Sequence, residues 1–285
     1  MVEIAHARPE EREEIVRFME AAFTRAKWSI DGWRRLLSGR WSRHGDSFAV
    51  TARDRGRLVG ALGLIPAERP TAAGPARVVN MTSWYLEKPY RGQGFGPLMM
   101  RFAADAPDVT LTNFTSARGA EPAALKAGLA TLDDARLIWR PRPRARRLPV
   151  ERDPARMTDS LTARDRRVLA DHADLPLTRA LVETPDGPCL ILLSVKRKSD
   201  AHVTHEALYL GDRRAFARHA RAIADSLLPP EDAVLSVDRR FAPDADAPDA
   251  VEPIPIPRYY RPGRARPEEI DYLYSEIVLV DMKLS

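Results

Sequence analysis

Residues 90–97 read YRGQGFGP: three glycines within five residues, a cation before them and a proline after them. The stretch divides two segments of opposite character. Upstream, residues 77–86 read RVVNMTSWYL, a β-branched and aromatic run that predicts a strand. Downstream, residues 98–104 predict a helix, with Pro97 at its opening. A glycine-rich turn between strand and helix leaves successive backbone N–H groups free to converge on one anion. The positive end of the helix dipole points at the same place, and Arg91 adds a charge beside it. Such a turn suits a phosphate or pyrophosphate. It is not a P-loop, because no lysine with serine or threonine follows the last glycine. The spacing also excludes a dinucleotide-binding fingerprint, and no first-strand βαβ unit surrounds it.

Working outward, the first half alternates strand and helix signals. A strand is expected at 2–6, then a helix over 9–23 with Ile15, Phe18, Met19 and Ala22 on one face. A second helix is expected over 30–43, with Trp33, Leu36, Leu37 and Trp41 on one side. Runs 47–52 and 57–65 flank the turn signal Asp54-Arg55-Gly56 and predict a hairpin. A loop with Pro70, Gly74 and Pro75 leads to the strand at 77–86. After the glycine turn and its helix come a strand at 108–115, a helix at 120–129 and a strand beginning at 137.

That order of elements, with R-x-x-G-x-G filled by Arg91, Gly94 and Gly96 and led by Tyr90-Arg91-Gly92, resembles the GNAT superfamily of acyl-CoA N-acyltransferases. The resemblance covers roughly residues 1–140. It implies a mixed α/β fold, with a central, mostly antiparallel mixed sheet flanked by helices. It implies acetyl-CoA, or another acyl-CoA, as co-substrate. Arg91, Gly92, Gln93, Gly94, Phe95, Gly96 and Pro97 would then form the pyrophosphate loop. Trp84, Tyr85 and Leu86 would pair with the pantetheine arm, and the thioester would lie near Leu86 and Asn113, where two strands part.

The usual catalytic groups of the family are missing. The tyrosine that serves as general acid falls on Ala124, the asparagine before it on Ala117, and the glutamate base on Asn80. The remaining polar candidates in the gap are Asn80, Thr82, Ser83, Asn113 and Thr115, while Glu87 points towards the loop. The reaction still makes demands. An amine with pKa near 10 is only about one part in a thousand neutral at pH 7, a deficit of roughly 4 kcal/mol that a base or a desolvated site must offset.

Residues 141–156, within the RPRPRARRLP region, read as a basic proline-arginine linker rather than a core element. Residues 157–285 form a second α/β domain. A helix is expected at 162–172, strands at 189–196, 205–210 and 232–238, and a helix at 212–228 carrying Phe216, Ala220, Ile223 and Leu227. Residues 243–266, rich in proline, are expected to be irregular, and 273–280 to close as a strand. Strand, turn, helix, strand occurs at 77–115 and again at 205–238. The echo suggests a tandem, degenerate GNAT-like unit that has lost the glycine loop.

Composition sets the remaining bounds. The chain has 285 residues, 44% of them hydrophobic, which is ample for a packed core, and a net charge of +5. That excess is modest, and no basic stripe with interleaved aromatics points to nucleic acid. A single cysteine, Cys189 in an apolar run, rules out an internal disulfide and fits a reducing compartment and a core position. No apolar run approaches spanning length, so a cytoplasmic protein without a membrane partner is expected. His202 and His205 supply too few ligands for a metal site, and His172 reads as a cap or packing residue. Tyr259 and Tyr260, beside Arg258 and Arg261, read either as cleft residues or as an exposed loop. The expected function is acetyl transfer to a small-molecule acceptor. An amino sugar is favoured over a protein, because a second domain can wall off the cleft. Sugar O-acetylation and an acyl-CoA-binding protein with little catalysis are the alternatives.

Overall fold

The computed structural model describes residues 1–104, 106–198, 202–246 and 248–284. In chain order the elements are β1 (Val2–His6), α1 (Arg12–Ala22), α2 (Ile30–Leu36), β2 (Ala49–Asp54), β3 (Arg57–Thr71), β4 (Gly74–Leu86), α3 (Phe95–Phe102), β5 (Thr110–Asn113), α4 (Glu121–Lys126) and β6 (Ala130–Trp139). There follow β7 (Val150–Glu151), α5 (Pro154–Met157), α6 (Ala163–Asp171), β8 (Thr178–Thr184), β9 (Gly187–Lys198), β10 (His202–Leu210), α7 (Arg213–Leu227), β11 (Ala233–Asp238), β12 (Ala250–Arg261) and α8 (Glu276–Leu279). The fold is mixed α+β, with mostly antiparallel strands flanked by helices.

Two compact units are present: Met1–Leu132 with Ile256–Ile270 and Tyr274–Met282, and Asp133–Pro255 with Asp271–Leu273 and Lys283–Ser285. In the first, β1 to β5 lie in sequence order. The pairings are antiparallel up to β4, and β4 pairs parallel with β5. The far edge of β5 pairs antiparallel with the end of β12, Tyr259 to Arg261. One face of this sheet is covered by α1 and α2, whose Ile15, Met19, Trp33 and Leu36 pack with Ala61 and Ile65 of β3. The other face is covered by α3 and α4, through Met99, Met100 and Ala124 against Val50, Val79, Met81 and Leu111. Helices thus stand on both faces, as apolar residues at period 3.6 over a sheet require.

In the second unit the strand order is β6-β11-β10-β9-β8-β7. The β10–β11 pair is parallel and β11–β6, β10–β9, β9–β8 and β8–β7 are antiparallel. Long helix α7 buries Phe216, Ala220 and Ile223, and Phe216 meets Trp139 edge-on at 6.0 Å. A shared connectivity links the units. In each, a hairpin whose second strand carries one extra residue leads through a helix to a parallel neighbour: β3, β4, α3, β5 in the first and β9, β10, α7, β11 in the second.

Several expectations are corrected. The helix expected over 30–43 stops at Leu36, and Gly39 at φ 72° turns the chain away. The loop expected around Pro70, Gly74 and Pro75 is the tip of the β3–β4 hairpin, where Pro70 faces Pro75 and Thr71 faces Gly74. The helix after the glycine turn opens at Phe95 rather than Pro97, leaving Pro97 third, still within the turn whose N–H groups lack helical partners. Residues 250–261 form a strand despite Pro253, Pro255 and Pro257. Alternate residues of a strand direct their N–H to the same side, so prolines at period two forfeit bonds along one edge only. The closing strand is instead a short helix, because Ser275 accepts from Ile277 N and caps it. The proline-arginine stretch is tied down: Arg142 binds Asp225 through its main-chain N at 2.9 Å and its guanidinium at 2.6 and 3.0 Å.

Asp212 caps α7 by accepting from the backbone N–H groups of Arg214 and Ala215, both at 2.9 Å. An Asp212→Ala substitution should lower the stability of the second unit by about 1 kcal/mol. Hydrogen exchange would show it as faster exchange at those two amides, with the amides of the first unit unchanged.

Candidate functional site

Strands β4 and β5 are paired only at Val78–Thr110, Val79–Leu111 and Asn80–Thr112. Just past that point β4 gains a residue relative to β3, with Thr82 opposite Gly63 and Tyr85 opposite Ala61. Ser83 sits in this bulge at φ 50°, a left-handed conformation unusual for a residue with a side chain. The strands part, and a cleft of about 360 Å³ opens between them. Thr82, Ser83, Trp84, Tyr85 and Leu86 line one side, and Asn113, Thr115 and Ser116 the other. Backbone N–H groups on the parting edge of β4 have lost their ladder partners and can serve a ligand.

The glycine loop continues the cleft. A groove of about 430 Å³ is lined by Arg91, Gly92, Gly94, Gly96, Pro97 and Lys126, and it shares Trp84, Leu86, Arg91 and Gly119 with the cleft. Gly94 precedes α3 at φ 86°, and no side chain caps that helix. Its N-terminal donors therefore stay open to an anion. A Cβ at Gly96 would collide with the Trp84 indole, so glycine there lets the helix rest on the strand end. Arg91 holds the loop in place, donating from Nε to the Leu86 carbonyl at 2.7 Å with its guanidinium 5.3 Å from the Tyr85 ring centre. Gln93 and Phe95 do not line the groove with their side chains: Gln93 Nε2 donates to Pro89 O at 2.7 Å, and Phe95 packs on the core. Lys126, in the last turn of α4, was not legible as a groove residue, because its place depends on how α4 packs beside α3.

Of the polar candidates, Thr82, Ser83, Asn113 and Thr115 face the cleft, and Asn80 does not. Asn80 is buried behind it, accepting at Oδ1 from Thr112 Oγ1 at 3.0 Å and donating from Nδ2 to a Glu276 carboxylate oxygen. The other Glu276 oxygen accepts from Thr115 Oγ1. Glu276 is fully buried, and desolvation pushes its carboxyl above the usual carboxylate range. Its hydrogen bonds and the Arg258 charge act in the opposite direction. Arg258 is itself buried and donates to the Phe114 carbonyl at 3.1 Å. Glu276 escaped the sequence reading inside LYSEIVLV. The available signal was a lone carboxylate in an apolar run, since such groups are seldom buried unless partnered.

Other candidates fall away from the cleft. Glu87 forms a two-pronged pair with Arg57 at 2.8 and 2.9 Å. Ala117 brings only a methyl to the cleft, and Ala124 is core. Tyr259 is core, its phenol pushed up to about 12 by burial with Glu121 beside it. His202 and His205, three apart on β10, point to opposite faces and cannot share an ion. His172 is buried, with Nδ1 2.8 Å from the Val168 carbonyl. Cys189 is buried and its thiol pushed up to about 12, which suits packing rather than nucleophilic attack. Among the described residues, no helix is long and apolar enough to cross a membrane.

Residues 12–108 match the model of the Acetyltransferase (GNAT) family. No curated protein matches the chain. Among solved structures, a GCN5-related N-acetyltransferase from Kribbella flavida is similar at TM-score 0.55 and 12% identity, over 92% of this chain and 72% of that one. A GCN5-related N-acetyltransferase from Anabaena variabilis gives TM-score 0.53 and 12% identity over the same shares. Eis1 from Mycobacterium abscessus gives 0.51 and 11%, over 92% and 73%. At such identities the likeness concerns the fold: the chain has a GNAT acetyltransferase-like fold.

The raised pKa of Glu276 links stability to pH. Folded and unfolded states both hold the proton below the ordinary value of 4.5, so the contribution of this group is fully present there. As pH rises the unfolded state ionises first, and that stability is lost up to the folded pKa. A Glu276→Gln variant, which never ionises, should gain stability relative to the native protein as pH climbs from 4 towards neutrality. Urea titrations across that range would show it; a constant difference would mean the pKa is ordinary.

Proposed function

We propose that the first unit is an acyl-CoA-dependent acyltransferase, acetyl transfer to a small amine being the simplest case. One observation supports this above the rest: an uncapped helix N-terminus with a glycine loop opens directly into the cleft where β4 and β5 part. The pyrophosphate of coenzyme A would lie on the backbone of Gly92 to Gly96. The pantetheine arm would run along Trp84 to Leu86, and the thioester would reach the cleft between Ser83 and Asn113. An amine bound there would attack the carbonyl carbon, and unpaired N–H groups of β4 would stabilise the oxyanion. The thiolate, a leaving group with pKa near 8.5, could depart as the anion. An amino sugar is the favoured acceptor class, with a sugar hydroxyl as the close variant.

The second unit is proposed as a degenerate copy. It repeats the bulged strand, helix and parallel strand, but Asp212 fills the helix N-terminus with its own carboxylate. The position where the first unit offers donors to a phosphate is thus already occupied by an acid. The acyl-CoA site is accordingly assigned to the first unit, within residues 1–140.

A second reading, an acyl-CoA-binding protein with little catalysis, is favoured by Ala117 and Ala124 in place of the family's polar pair. Two measurements separate these. Coenzyme A should raise the thermal midpoint of the protein, and Gly94→Glu, which sets a charge against the pyrophosphate, should abolish that protection. Unchanged protection in the variant would refute the loop assignment. Incubation with acetyl-CoA and a panel of amines should then release free thiol; protection without thiol release on any acceptor would leave the binding reading standing.

A further inference from the structure

The family's base and acid positions are Asn80 and Ala124 in this chain, so the proton of the attacking amine has no acceptor along that route. The fold supplies a carboxylate by another. Glu276 arrives from the far end of the sequence on α8, and Ser275 caps the helix so that the carboxylate faces inward behind β4 and β5. It is fully enclosed, with no exposed surface of its own. One oxygen is held by Asn80, which Thr112 fixes in turn. The other oxygen is held by Thr115, and Thr115 lines the cleft. A continuous hydrogen-bonded path therefore runs from the cleft wall to a buried carboxylate.

We propose that Glu276 is the proton acceptor of the acyl-transfer reaction, working through the Thr115 hydroxyl as a relay. This rests on the acyltransferase reading of the same cleft. As the amine nitrogen forms its bond to the thioester carbon, its proton passes to Thr115 Oγ while the Thr115 hydroxyl proton passes to Glu276. The C–S bond breaks and coenzyme A leaves as the thiolate, which takes a proton from water. Glu276 returns its proton to solvent by the reverse path before the next turnover. Protons and electrons balance without another reactant.

The surroundings suit the task. A base serves best when its pKa lies near the working pH, and burial moves this carboxyl in that direction. The Arg258 guanidinium on β12 bears on it and favours the ionised form. The groups facing it from β4 and from beyond β5, Asn80 and Thr115, are neutral. On α2, which packs beside α8, Asp31, Arg34 and Arg35 are exposed. On β3, Arg69 sits over the Tyr274 ring at 5.3 Å. As a positioning residue that never touches substrate, Glu276 is to be tested by a readout that mere structural support would not move.

The test uses the full chain, acetyl-CoA and two acceptors, glucosamine and hydroxylamine, with released thiol as the signal. Hydroxylamine is the less basic amine, so the nitrogen of its adduct gives up its proton to water more readily and has less need of the relay. With Glu276→Gln, the rate with glucosamine should fall about a hundredfold, the range of general-base catalysis, and that with hydroxylamine by less than tenfold. The enzyme's own contribution to the acidic limb of the glucosamine pH profile should disappear, leaving only the ionisation of the amine. Thermal protection by coenzyme A should stay as in the native protein, because the phosphate loop is untouched. Thr115→Val, which keeps Glu276 but removes the hydroxyl between it and the cleft, should reproduce the loss, and Thr115→Ser, which keeps the hydroxyl, should restore most of the rate. These two variants decide the matter if Glu276→Gln fails to fold. Native turnover matched by Glu276→Gln or Thr115→Val at every pH, or equal losses with both acceptors, would overturn the relay and leave the acyltransferase reading intact. Failure of the native protein to bind coenzyme A, or to release thiol with either acceptor, would overturn the acyltransferase reading, and the relay with it.

Discussion

The parting of β4 and β5 is the constraint on which the first unit depends. Two parallel strands that separate in a protein interior leave backbone donors and acceptors without ladder partners, and each must be satisfied or offered to a ligand. Three register pairs hold the strands together, and the bulge at Ser83 then turns β4 aside. On its other edge, β5 is secured by Tyr259 to Arg261 of β12. Behind the gap, Asn80, Thr112, Thr115 and Glu276 tie the strand ends together through side chains as well. The front of the gap is left open as the cleft.

The second unit has the same parallel geometry. Glu206 and Ser236 are register partners at the end of the β10–β11 ladder, and Ser236 Oγ donates to Glu206 at 2.9 Å. They stand where Asn80 and Thr112 stand in the first unit, with a hydroxyl donating to a side-chain oxygen in each case. The difference comes one turn later. Gly94 leaves the α3 N-terminus uncapped, whereas Asp212 caps α7. An open helix end is less stable by about 1 kcal/mol, a cost that makes sense where a ligand supplies the missing partner.

Much of the fold was legible because local chemistry and tertiary demand agree there. The apolar faces of α1 and α7, the Asp54–Gly56 turn and the glycine loop follow from periodicity and from glycine conformations that no partner segment needs to enforce. The misread segments are those where local chemistry points one way and neighbours decide another. Residues 250–261 carry three prolines and still form a strand, because the prolines share one edge. Residues 273–280 are apolar enough for a strand, yet Ser275 starts a helix at Glu276.

The sequence by itself determined the glycine loop. A glycine loop between a strand and a helix binds through backbone geometry, which is local and therefore written in consecutive residues. Only the tertiary structure decided what stands behind the cleft. Glu276 lies 196 positions from Asn80 and 161 from Thr115. Neither its burial, nor the rise in its pKa, nor its partners can be read from the residues beside it. Those properties come from desolvation and hydrogen bonding by distant segments, which exist only once the chain has folded back on itself.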